Sequence, residues 1–152
     1  MVASSSVSRL IHATALVIFT AMTDEELLGR WRLPDAMSMS IHVFEPREGG
    51  RERISLTYDQ GDREGKASGA TDSFAGTIVR LVPDELLVEV LEFETDVPTP
   101  QGAMTPTTSL DARGASALAS IWHADLPRGV APTDNERGTQ RSLERLAELV
   151  ER

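Results

Sequence analysis

The chain has 152 residues, 40% of them hydrophobic and 26% charged, which at roughly 150 residues per domain makes one domain of ordinary globular composition and excludes wholly disordered, collagenous and coiled-coil readings. It has no cysteine, which excludes disulfides, thiolate catalysis, iron–sulfur clusters and cysteine-ligated zinc. A formal net charge of −9 with a single lysine, Lys66, is the reverse of the balance that neutralises phosphates, so no nucleic-acid partner is expected.

Val7–His12 reads as a short strand and Ala13–Met22 as a compact apolar helix carrying Leu16, Val17, Phe19 and Ala21. The run Leu10–Met22 follows Arg9 and has the apolar character of a signal segment. It contains His12, however, passes directly into Thr23-Asp24-Glu25-Glu26, and is too short to span a bilayer. A cytoplasmic protein without a membrane span is therefore expected. Thr23 and Glu26 have capping-box spacing, which predicts a second helix from Glu25 to about Trp31, ended by Pro34.

From Met37 the apolar period shortens to two. Met37–Glu45, Arg51–Asp59, Lys66–Val82, Leu86–Thr95, Ala103–Asp111 and Ala115–Ala124 read as strands. Turn residues separate them: Pro46 with Gly49-Gly50, Gly61-Asp62, Pro83-Asp84, Pro98, Pro100 and Gly102, then Gly114. Short connections predict an antiparallel meander. Gly69 and Gly76 predict a bend in the third of these strands, and Pro106 predicts an edge or a bulge in the fifth.

Pro127-Arg128-Gly129 ends the sheet. Thr133 and Glu136 form a second capping-box pattern ahead of the last helix. There Leu143, Leu146, Ala147 and Val150 recur at i, i+3, i+4 and i+7, one stripe of an amphipathic helix. The order is thus one strand, two short helices, six strands and a long helix. A bent antiparallel sheet has to cover its inner face, and the last helix offers the only long apolar stripe. The fold class expected is α+β: a curved antiparallel sheet of about six to seven strands wrapped around the C-terminal helix. A ligand cavity is expected between the sheet and Thr139–Val150.

In this order the chain resembles the helix-grip fold of the START/Bet v-like (SRPBCC) superfamily. Within it, the chain resembles the family of homologues of the activator of heat-shock-protein-90 ATPase. The matching stretches are Arg9–Ala13, the helix pair ending in Arg30-Trp31, Phe44–Arg53, Gly76–Phe93 and Ser142–Val150. The chain departs from the family where an aromatic residue is common: here stand Met104–Thr107 and Gly138–Arg141. The superfamily includes lipid carriers, polyketide cyclases and chaperone activators, so the resemblance implies a fold more narrowly than a function. A chaperone partner is implied by this analogy alone.

Trp31, Met37, Met39, Ile41, Leu56, Tyr58, Phe74, Val90, Met104, Trp122, Leu143 and Leu146 are the residues expected to line a greasy pocket. Each of these side chains serves equally well as ordinary core. Tyr58, Trp31 and Met39 are the strongest of them, being amphipathic or adaptable. Arg53 is a candidate clamp for a ligand carboxylate, with pairing to a neighbouring acid as the plainer role. The strand Leu87–Glu94 has no clean polar face, so its register stays open. If Glu92 or Glu94 points inward it becomes a candidate general base; if the leucine–phenylalanine face points outward it forms a patch suited to a homodimer. Of the three histidines only His123, beside Trp122, is a candidate acid or base. No metal-binding spacing, nucleophile elbow or phosphate loop occurs, so no metal, cofactor or catalytic constellation is expected. The function expected is the binding of a hydrophobic or aromatic small molecule. The alternatives are a cyclase- or hydrolase-type enzyme using one cavity acid or base, and a chaperone-interacting module.

Overall fold

The first strand stands far from the others in sequence, yet it closes one edge of the sheet. In the computed structural model, which describes residues 3–33, 37–58, 71–94, 103–126 and 130–151, the elements are β1 (Ala3–Ile11), α1 (Ala15–Thr23), α2 (Glu25–Trp31), β2 (Met37–Phe44), β3 (Arg51–Tyr58), β4 (Thr71–Val82), β5 (Leu86–Glu94), β6 (Thr105–Arg113), β7 (Ser116–Leu126) and α3 (Pro132–Val150). These strands form one curved sheet in the order β1-β7-β6-β5-β4-β3-β2. Every neighbouring pair is antiparallel. From β2 to β7 the chain is a simple meander. The α1–α2 pair carries it from β1 at one edge to β2 at the other, and α3 then packs against β1, α2 and α1. This is the α+β helix-grip architecture.

The amphipathic stripe explains where α3 sits. Leu143, Leu146 and Ala147 are fully buried, whereas Arg141 and Glu148 on other faces are exposed. Ile11, Ile18, Met22, Leu28, Ile54 and Ile78 complete the most deeply buried layer. Each such side chain contributes about 1.5–3 kcal/mol by leaving water.

Local chemistry differs from the expected capping. Asp24, not Thr23, caps α2, its carboxylate accepting from Leu27 N at 3.0 Å. Thr23 ends α1 instead, donating to Phe19 O at 2.8 Å. At α3 the N-cap is Ala131 with no side-chain hydrogen bond. Pro132 occupies the first turn, where a missing N–H costs nothing. Gly114 has φ 68, the left-handed geometry of the β6–β7 hairpin. Pro34 and Gly69 lie outside the described residues.

Pro106 is neither at an edge nor bulged against β7, where it pairs with His123. Its effect falls on the other side of β6. The β5–β6 ladder runs from Leu86↔Ser109 to Val88↔Thr107, then stops, and one bridge resumes the same register at Leu91↔Met104. The gap faces Glu89 and Pro106, because proline has no N–H to donate. The irregularity of β4 lies between Ile78 and Arg80, beyond Gly76. Gly76 itself allows close strand packing: a Cβ there would stand 2.0 Å from Val90 O. Gly76→Ala is expected to lower stability by about 1–3 kcal/mol through overpacking, read as a fall in the urea midpoint; an unchanged midpoint would contradict this packing.

Candidate functional site

Behind α3 the sheet is not filled completely. A cavity of about 580 Å³ lies between α2, α3 and the inner face of β5, β6 and β7, within the size range of small-molecule sites. Met22, Leu28, Trp31, Leu87 and Ile121 supply its apolar wall. Trp31 is held in place because its Nε1–H donates to Ala21 O at 2.9 Å. Polar atoms enter from Arg32, Glu89, Thr108 and His123 below, and from Asn135, Thr139, Ser142 and a row of arginines on α3.

Strand alternation decides which ionisable groups reach this region. On β5 the inward residues are Leu87, Glu89 and Leu91, each at most 4% exposed. On β3 they are Glu52 and Ile54, at 1% and 0%. Arg32, at the C-cap of α2, reaches both acids. Its Nη1 donates to Glu89 Oε2 at 3.1 Å and stands 3.5 Å from Glu52 Oε1. Its guanidinium also lies 5.9 Å from the Phe74 ring centroid, in cation–π range.

One cation thus serves two buried carboxyls, and the two part in their protonation. Burial, reinforced by the charge of Glu89, pushes Glu52 up to about 9, so it is neutral at pH 7. Burial acts on Glu89 in the same direction, but the Arg32 charge and the hydrogen bond from Arg32 outweigh it and hold Glu89 below its ordinary value. His123 is pushed down to about 4 by burial and then by Arg32, against the pull of Glu89, and is neutral at pH 7. Its Nδ1 is buried without a hydrogen-bond partner among the described residues.

Of the residues expected from sequence to line a pocket, the structure places Trp31 in the cavity wall. Met37 and Met104 are buried, and Met39, Ile41, Leu56 and Phe74 are partly buried against the core, all outside that wall. Leu143 and Leu146 are fully buried under α3 as core. The side chains of Tyr58 and Glu94 lie outside the described residues. Arg53, Val90, Glu92 and Trp122 require correction. They alternate with the inward Glu52, Ile54, Glu89, Leu91 and Ile121, so they occupy the face of the sheet turned away from α3. Arg53 and Glu92 are exposed there, and Trp122 is 51% exposed.

Sequence reasoning reached His123, which lines the cavity, but passed over Arg32, Glu52 and Glu89. The available signal was Glu89 standing between Leu87 and Leu91 on the apolar face of its strand. Among the described residues no group of three or more histidines and carboxylates is placed to hold a metal ion, and no helix is long and apolar enough to cross a membrane.

Comparison with known proteins agrees with this architecture. The chain is similar over 99% of its length, and 99% of the other's, to the crystal structure of protein CV1439 from Chromobacterium violaceum, with 25% identity and a TM-score of 0.85. It is similar to a solution structure from Arthrobacter aurescens (15% identity, 97% and 86% coverage, TM-score 0.81). It is also similar to the Mll3558 protein from Rhizobium loti (24% identity, 97% and 96% coverage, TM-score 0.76). The latter two, at such identities, speak for the fold alone. No curated protein matches the sequence. The model of one family, described as Activator of Hsp90 ATPase homolog 1-like protein, matches residues 12–151. With nearly the whole chain matched and the sheet gripping its last helix, the chain belongs to the Activator of Hsp90 ATPase homolog 1-like family.

Proposed function

We propose that the protein binds a small, mainly apolar molecule in the cavity between the sheet and α3. The observation that carries this reading is the cavity itself: about 580 Å³ with Trp31, Leu28, Met22, Leu87 and Ile121 on its wall. Apolar walls with a few converging polar groups are the usual character of a ligand site. The two tryptophans make the test direct, because Trp31 is 4% exposed and Trp122 is 51% exposed. In a Trp122→Phe background, saturable change of Trp31 emission with aromatic or aliphatic compounds is the expected result, with one-to-one complexes in native mass spectrometry.

Gly138 lines the cavity from α3, and a Cβ there would meet nothing within 4 Å. Gly138→Phe is therefore expected to block the cavity and abolish binding. It should leave the melting temperature unchanged or raised, since glycine weakens a helix interior by about 0.5–1 kcal/mol. Binding that survives this substitution would place the ligand elsewhere.

A second reading, acid–base chemistry on the bound molecule, is favoured by Glu89 and His123 standing in the wall. Under it, His123→Gln keeps the binding and loses turnover of the bound compound.

A further inference from the structure

The chain carries 24 acidic and 15 basic residues, yet the cavity wall reverses that balance. Arg32, Arg137, Arg141 and Arg145 stand on it against two carboxylates, Glu89 and Asp134. Arg32 and Glu89 are bound to each other at 3.1 Å. The other three arginines recur every four residues along α3, so they share one face of the helix. Glu136, Glu144 and Glu148 of the same helix are not on that wall.

From this we infer that the ligand carries an anionic head group, carboxylate or phosphate, held by the α3 arginine row while its apolar body lies against Trp31 and Leu28. The inference rests on the binding reading above and specifies the chemistry of its ligand. Guanidinium groups present paired donors that match either oxyanion. The ion pairs that Arg137 and Arg141 make with acids of α3 are exposed and weak enough to be exchanged for a ligand. Arg141 meets Glu144 at 2.9 Å with 46% and 40% of the two side chains exposed, and Arg137 meets Asp134 at 3.7 Å with both 75% exposed.

The test compares four probes of one chain length: decanoate, decyl phosphate, decanol and decylamine. Titration against Trp31 emission is expected to show the acids binding about tenfold or more tightly than decanol, as charge-assisted hydrogen bonds require. The advantage should shrink as salt rises. Decanoate against decyl phosphate identifies the preferred head group. The Arg141→Gln/Arg145→Gln double variant should lose the preference for acid while its decanol affinity stays the same. Asp134→Asn, which removes the acid of α3 from the wall, should bind the acids more tightly. Equal binding of decanol and both acids, or preference for the amine, overturns the anionic head group and leaves the binding reading standing. Failure of all four probes to bind overturns both. A double variant that loses decanol and decanoate alike would also overturn the assignment of the arginines to the head group.

Discussion

Replacing Arg32 by methionine is expected to cost about 3–5 kcal/mol of stability, the range for removing one partner of a buried ion pair. The reason is positional. Arg32 is the cation that meets both Glu52 and Glu89, at 3.5 and 3.1 Å, and both acids have side chains at most 3% exposed. Without it Glu89 has either to hold an uncompensated charge in a low dielectric or to take up a proton at neutral pH. The loss should therefore be larger at pH 8 than at pH 5. Arg32→Met/Glu89→Leu, which removes both charges and keeps the volume apolar, should recover most of it, because well-packed apolar groups replace buried ion pairs at little cost. Urea unfolding of Arg32→Met, Glu89→Leu and the double variant gives the coupling energy directly. A single variant within about 1 kcal/mol of the wild type, the range of an exposed ion pair, would show that the pair is solvated rather than buried.

Between pH 6.5 and pH 9 the wild-type protein is expected to lose about 3 kcal/mol of stability, and Glu52→Gln to lose little over that window. Folded Glu52 keeps its proton to about pH 9, while in the unfolded chain it ionises near its ordinary 4.5. Over that interval the folded state binds the extra proton, so stability falls as pH rises. His123 acts with the opposite sign lower down. Its folded value of about 4 lies below its ordinary 6.5, so the unfolded chain binds the extra proton there and stability rises with pH between these values. Glu89, held below its ordinary value, adds stability that is lost as pH falls through its folded value. From about pH 4.5 to 6.5 the Glu52 and His123 slopes oppose each other, and only above 6.5 does Glu52 act alone of the two. The amide of Glu52→Gln has no proton to hold, so the variant should be more stable than the wild type at pH 8–9, and the His123 slope should stand uncovered below pH 6.5. Equal alkaline slopes in the two proteins would mean that Glu52 is ionised in the folded state.

Both effects arise from ionisable groups buried beside the cavity, which is an expensive place for charge. Arg32, Glu89 and His123 stand in its wall, and Glu52 meets Arg32 behind it. Pro106 adds to this by interrupting the β5–β6 ladder opposite Glu89, so the sheet is least regular where the cavity meets it. Strand irregularity beside a binding site is a common device for aiming a side chain.

Much of the architecture was legible in the amino-acid order, since it rests on local periodicity. The stripe Leu143, Leu146, Ala147 has a period of 3.6 and nowhere to go but the inner face of a bent sheet. The strands from Met37 onward alternate with a period of two and are joined by short turns, so they pair with their neighbours. Absent cysteine, negative charge and the lack of metal-binding spacing are facts of composition and need no coordinates. What tertiary structure decided was which of two faces points inward, and that choice selected the site. In β5 the face of Leu87, Glu89, Leu91 and Phe93 is the more apolar, but each face carries an acid, so alternation alone did not say whether Glu89 or Glu92 points inward. Pairing with β4 turned Glu89 in and Glu92 out. Arg53 and Glu52 changed places for the same reason, and Trp122 went outward because Ile121 and His123 went in. The cap of α2 brought Arg32 to acids 20 and 57 positions away in the chain. A one-residue change of register reverses every side chain on a strand, and only the packing of the whole sheet against α3 sets that register.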